Sequence, residues 1–236
     1  MRFFALLLSS LFTLGLFATG SVSAANTSKE IDTLTPHQAS YKASYNGMPI
    51  SSERKFFKDG NSYILSNKAK NFLGSLTEEE RFTVDEQGNI SPLYYRFERA
   101  IFGNKRSETT DFQRDSSIAV NKYKGKTVEL PLSDSPLAPL SYQEQMRYDL
   151  MAGKTSFNYQ VVYRNKIRDY QYRVIDEETI DTPLGKLETT VLERIRDNDE
   201  RETRLWMAKK LAYLPVKLVQ KEDGETYEMM IESYSN

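Results

Sequence analysis

The sequence predicts a mostly β protein, a strongly curved antiparallel sheet or incomplete β-barrel with one short covering helix. Three observations carry this. Segment after segment alternates apolar and polar residues with a period of two, between turns rich in Gly, Asn and Asp. The chain holds 15 Tyr and 12 Phe, residues that suit a pleated, half-buried surface. Only one stretch, Ser141–Ala152, combines helical spacing with a start signal and a Gly153 stop.

Residues 1–24 have the layout of a secretory signal peptide. Arg2 supplies a short positive region, Phe3–Ala18 is almost wholly apolar, and Val22-Ser23-Ala24 offers small residues for cleavage. Residues 25–37 form a polar leader without periodicity. His37, the only histidine, stands at its end and is expected to be exposed. A single domain follows, 38–236, large enough to bury a core by packing alone. The chain has no cysteine, which excludes a disulfide scaffold and a cysteine-linked lipid anchor. No second apolar run follows the first, so the processed chain is expected to be soluble and secreted, without a transmembrane segment. Net charge is −1 with both signs mixed along the length, so the linear sequence holds no basic block for nucleic acid.

The strands can be taken in order. Ala39, Tyr41, Ala43 and Tyr45 alternate with polar residues, and Asn46-Gly47 turns the chain into Ile50–Lys58. Asp59-Gly60-Asn61 leads to Tyr63–Asn71. Phe72-Leu73-Gly74-Ser75-Leu76 is an apolar turn, unusual because loops are normally polar. It either covers an end of the core or offers an apolar rim. Thr77–Val84 carries charge on both faces, which suits an edge strand, and Glu78-Glu79-Glu80 reads as a solvated cluster. Ile90–Glu98 follows, then a second apolar turn at Ala100-Ile101-Phe102-Gly103-Asn104. Lys105–Phe112, Ser117–Tyr123 and Thr127–Leu130 are short strands before a proline-rich crossing at 131–139. In the helix, Ser141-Tyr142-Gln143-Glu144 matches a capping box. Strands Ser156–Tyr163, Tyr170–Val174, Leu187–Arg196, Arg201–Met207, 211–220 and Thr226–Ser233 complete the chain. Pro215 marks an edge or a bend. Trp206, the only tryptophan, either caps the core or lines a cavity.

Residue inventory excludes several chemistries. A nucleophile with a histidine base lacks its partners, and a His/Cys zinc site fails on count. Phosphate loops, EF-hands and Gly-x-Ser-x-Gly elbows are absent from the sequence. Carboxylates remain: Glu78-Glu79-Glu80, Asp176-Glu177-Glu178 and Asp197-Asn198-Asp199-Glu200, the last open to a loose calcium reading at Asp197, Asp199 and Glu200.

Thr182-Pro183-Leu184-Gly185-Lys186-Leu187, Leu205-Trp206-Met207-Ala208 and Tyr213-Leu214-Pro215-Val216-Lys217 resemble motifs of the DUF3108 family of bacterial exported proteins of unknown function. Tyr41–Gly47 is similar to that family's first strand and turn, and Leu140–Leu150 to its helix entry. The resemblance implies a periplasmic or otherwise exported protein with a curved antiparallel sheet; a further, looser likeness of fold is to the periplasmic lipoprotein carriers. It brings no catalytic residues. The expected function is non-enzymatic binding of an apolar or amphipathic ligand such as lipid. Phe72, Leu73, Leu76, Ile101, Phe102 and Trp206 are the lining candidates. Two alternatives stay open: an envelope protein-interaction or structural module with a filled core, and a carboxylate-based envelope hydrolase. No cofactor or metal is expected.

Overall fold

The computed structural model describes residues 35–45, 47–132, 135–196 and 201–236. The expected signal peptide, most of the expected leader and residues 197–200, with their calcium reading, lie outside the described residues. The elements run β1 (His37–Tyr45), β2 (Met48–Asp59), β3 (Ser62–Asn71), β4 (Gly74–Val84), β5 (Ile90–Ile101), β6 (Asn104–Gln113), β7 (Ile118–Tyr123), β8 (Lys126–Pro131) and α1 (Ser141–Met151). They continue β9 (Ser156–Tyr163), β10 (Lys166–Thr182), β11 (Gly185–Ile195), β12 (Arg201–Ala208), β13 (Leu214–Glu222) and β14 (Glu225–Ser235).

The fourteen strands among the described residues join one antiparallel sheet in the order β8-β7-β6-β5-β4-β3-β2-β1-β14-β13-β12-β11-β10-β9. Every neighbour is thus a hairpin partner, except that β1 meets β14 and brings the two halves of the chain together. The sheet curls into a nearly closed barrel with an unsealed seam. At the seam β9 does not ladder with β8. Its turn instead reaches the inward side chains of β6 and β7: Arg164 N–H donates to Glu108 Oε1 at 2.6 Å, and Asn165 N–H to Asn121 Oδ1 at 2.7 Å. Further along, Leu137 covers the free edge of β9, donating to Gln160 O and accepting from Val162 N–H.

Antiparallel pairing sorts the connections between two ends. The β1–β2, β3–β4, β5–β6, β7–β8, β9–β10 and β13–β14 turns gather at one end, the open rim. Helix α1 sits at the other and plugs it. Tyr142, Met146, Tyr148 and Leu150 pack there against Phe82, Tyr95, Phe157, Tyr159 and Tyr170 in the main core.

The plug is built differently from the sequence expectation. Ser141 does not cap the helix; its Oγ accepts from Ala138 N–H at 2.9 Å. Glu144 does not reach back either, because it is drawn into ion pairs. Glu80 of β4 caps the helix instead, its Oε2 accepting from Leu140 and Ser141 N–H at 2.9 Å each. A carboxylate at a helix N-terminus satisfies orphan donors and meets the positive end of the dipole. The expectation of β4 as an edge strand is therefore corrected, as is the solvated reading of Glu80, while Glu79 is exposed as expected. β4 lies between β3 and β5, and Glu80 is 0% exposed. His37 is corrected likewise: it opens β1, is 5% exposed, stacks on Tyr234 and packs at a tilt against Phe56.

Candidate functional site: the open end of the barrel

Between the plug and the rim the barrel keeps a half-open cavity of about 240 Å³. Its floor is α1, through Tyr142, Gln143 and Met146. Its walls mix apolar residues (Ile50, Leu76, Phe97, Leu205, Met207, Leu218, Met229) with Tyr41, Arg54, Asn67, Glu78, Tyr172 and Arg194. Strand alternation places them. On β2, Ile50, Ser52, Arg54 and Phe56 share one face; on β4, Leu76, Glu78, Glu80 and Phe82 do.

A buried ion network holds the floor. Glu144 pairs with Arg54 across the barrel and with Arg147 one turn along α1, the latter at 2.7 Å. Arg147, 2% exposed, also donates to the Ala212 and Leu211 carbonyls of the β12–β13 turn. Burial pushes the Glu144 carboxyl up, but Arg147 and Arg54 outweigh it and hold it below its ordinary value. Glu80 has no cation beside it, so burial dominates and lifts it to about 7. Glu78 is raised by burial too, while Tyr95 donates to it at 2.9 Å. Burial and then Arg147 depress His37 to about 4. Two buried donors facing the cavity, Tyr41 Oη and Arg54 Nε, have no hydrogen-bond partner.

Of the six lining candidates, the cavity takes in only Leu76. Phe72, Leu73, Ile101 and Phe102 belong to the rim, where the two apolar turns are neighbours. Phe102 N–H donates to Leu73 O at 3.1 Å, and a Cβ on Gly74 would stand 2.0 Å from Ala100 O. That close approach needs glycine, and it locks the tips side by side. Phe72 is 80% exposed and Phe102 62%. Trp206 lies away from the cavity. It alternates with Leu205 and Met207, so it turns to the opposite face of β12. It packs there with Leu187, Val191 and Ala208, and its Nε1 donates to Glu178 Oε2 at 2.9 Å.

The cavity carboxyls are Glu78, Glu222 and Glu225, with Glu222 tied to Arg201. Glu80 is spent on the helix and does not line the cavity. No group of three His, Asp or Glu converges as a metal site among the described residues. Sequence reading missed Arg54, Tyr41, Glu144 and Arg147. The available signal was that Arg54 shares a face with Ile50 and Phe56.

No curated protein matches the chain. Among solved structures it is similar to a crystal structure described as a beta-barrel-like protein of domain of unknown function DUF1849 from Brucella abortus. Identity is 10%, the match covers 86% of this chain and 98% of that one, and the TM-score is 0.60. At that identity the likeness concerns the fold alone. A family model described as protein of unknown function (DUF3108) matches residues 40–232, nearly the whole barrel. The chain belongs to the DUF3108 family.

Proposed function

We propose that the protein is an exported, non-catalytic interaction module of the cell envelope, and that its working face is the open rim. One observation carries the reading: two apolar hairpin tips, joined to each other, stand in solvent at that rim. Phe102 also has φ +46°, a left-handed backbone that disfavours bulky side chains. The same position in the β7–β8 and β13–β14 turns holds Lys124 and Asp223, so neither packing nor backbone preference accounts for a phenylalanine here. The plugged barrel serves as a scaffold. Its remaining space falls short of the ~300–1,000 Å³ usual for small-molecule sites. The signal-peptide pattern of residues 1–24 supports export to the envelope.

The test places a photoreactive phenylalanine analogue at position 102 in producing cells. A control carries it at position 184, in the β10–β11 turn at the plugged end. Cross-linked adducts are expected from 102 well above those from 184. Equal yields, or none from 102, would overturn the reading.

A second reading is favoured by the partnerless Tyr41 Oη and Arg54 Nε: a small amphipathic molecule in the cavity, its acceptor atom held by these donors. Burial raises the Tyr41 hydroxyl to about 12, so it stays a donor at neutral pH. Native mass spectrometry of detergent-free protein should then show an extractable adduct, lost in Tyr41→Phe. A bare protein mass would count against it.

A further inference from the structure

The rim carries a charge segregation that the linear sequence hides. Four turns with their flanks, residues 70–75, 99–106, 122–127 and 163–167, hold nine Lys and Arg and no Asp or Glu. The whole chain, in contrast, has net charge −1. The sheet order sets the first three side by side, and the seam bonds of Arg164 and Asn165 bring in the fourth. Lys70, Lys105, Arg106, Lys124, Lys126 and Lys166 are exposed there. None of these six is in a salt bridge among the described residues. Arg99 and Arg106 stand directly opposite each other on β5 and β6, an arrangement of like charge that costs stability unless an anion answers it. Burial, then Arg106 and Arg164, hold Arg99 below its ordinary value, and its buried Nε has no partner. Phe72 and Phe102 project from the midst of these cations.

Exposed aromatics inside a cationic ring match one kind of surface well. An anionic phospholipid bilayer offers phosphates to the cations and, just beneath them, an apolar boundary to the rings. We propose that the rim docks on such a bilayer, with Phe72 and Phe102 entering the interfacial region and Lys70, Lys105 and Arg106 facing headgroup phosphates. This rests on the rim being the working face and names its partner. Attraction falls off within a Debye length, about 8 Å at physiological salt, so only the rim end takes part. The acidic turn residues Asp223 and Glu225 lie further round the rim on the β13–β14 hairpin and tilt contact towards the β3–β10 side.

The experiment is vesicle flotation of the processed chain. It compares pure phosphatidylcholine with an equimolar mixture of phosphatidylcholine and phosphatidylglycerol, at low and high salt. The protein should float with the anionic vesicles, stay behind with the neutral ones, and be released by salt. Phe72→Ser with Phe102→Asn should lower partition roughly tenfold or more. Lys70→Glu with Lys105→Glu should do so by on the order of tenfold. Both pairs are exposed and should keep the wild-type melting temperature. Asparagine suits the left-handed position at 102, which keeps that variant folded. Absent flotation, equal binding to both vesicles, or unchanged partition in the variants would overturn the proposal. So would retention on a single-stranded oligonucleotide in place of vesicles. If flotation fails while position 102 still cross-links to an envelope protein, the membrane assignment falls and the rim reading stands.

Discussion

Glu80→Gln tests how the barrel and its plug are joined. The carboxyl is fully buried, caps α1 through one oxygen, and leaves the other, Oε1, without a partner. Burial raises it from an ordinary 4.5 to about 7, so the folded state holds the proton more tightly than the unfolded chain. The sign follows. Its contribution is most favourable below the unfolded value and is lost as pH rises through the folded one. The slope is about 1.4 kcal/mol per pH unit across that window, on the order of 3 kcal/mol in all. Glutamine keeps a carbonyl acceptor for Leu140 and Ser141 N–H but cannot ionise. The assay is urea unfolding of both proteins at about pH 5 and about pH 8. Relative to the variant, the wild type should lose roughly 2–3 kcal/mol between the two. A difference that does not change with pH would refute the buried, uncompensated cap.

Other perturbations read other joints. His37→Phe keeps the ring contacts with Phe56 and Tyr234 but removes a group whose folded value is depressed to about 4 from 6.5. Wild-type stability contributed there is lost as pH falls through that window, on the order of 3 kcal/mol, and the variant should lack this acid limb in urea titrations. Glu144→Gln leaves Arg54 and Arg147 buried without their carboxylate and should cost roughly 3–5 kcal/mol by the same measurement; a loss below about 1 would contradict the network. Gly74→Ala drives a Cβ into Ala100 O and should cost on the order of 2 kcal/mol while loosening the paired tips, seen as faster amide exchange at Phe102.

Much of the fold was legible because strand periodicity is local. Tyr41, Leu93, Phe157 and Leu205 each sit in a predicted strand that the sheet contains, and α1 begins at the predicted Ser141. Even the six-residue β7 and β8, read from the sequence as short strands, find partners. Polar residues inside the barrel were hidden for a physical reason. Glu80 and Glu144 look solvated in one dimension, because what permits their burial is a partner roughly 60 to 90 residues away in the chain: Leu140 and Ser141 for one, Arg54 for the other. The capping box failed on the same ground. Its pieces were present, but two arginines outcompete a backbone N–H for one carboxylate. At the rim, the apolar turns were visible as an anomaly at Phe72 and Phe102. Their adjacency and the basic ring around them were not, because both depend on which hairpins the curl brings to one end.

The central claim is that the rim is the working face. Hydrogen exchange tests it most directly, on the processed chain alone and then with envelope vesicles from its own cells. A working rim slows exchange in the turns at 71–75 and 101–105 and leaves rates unchanged at the plugged end around Gly60, Gly88 and Leu184. Protection centred on the plugged end, or none anywhere, would contradict it.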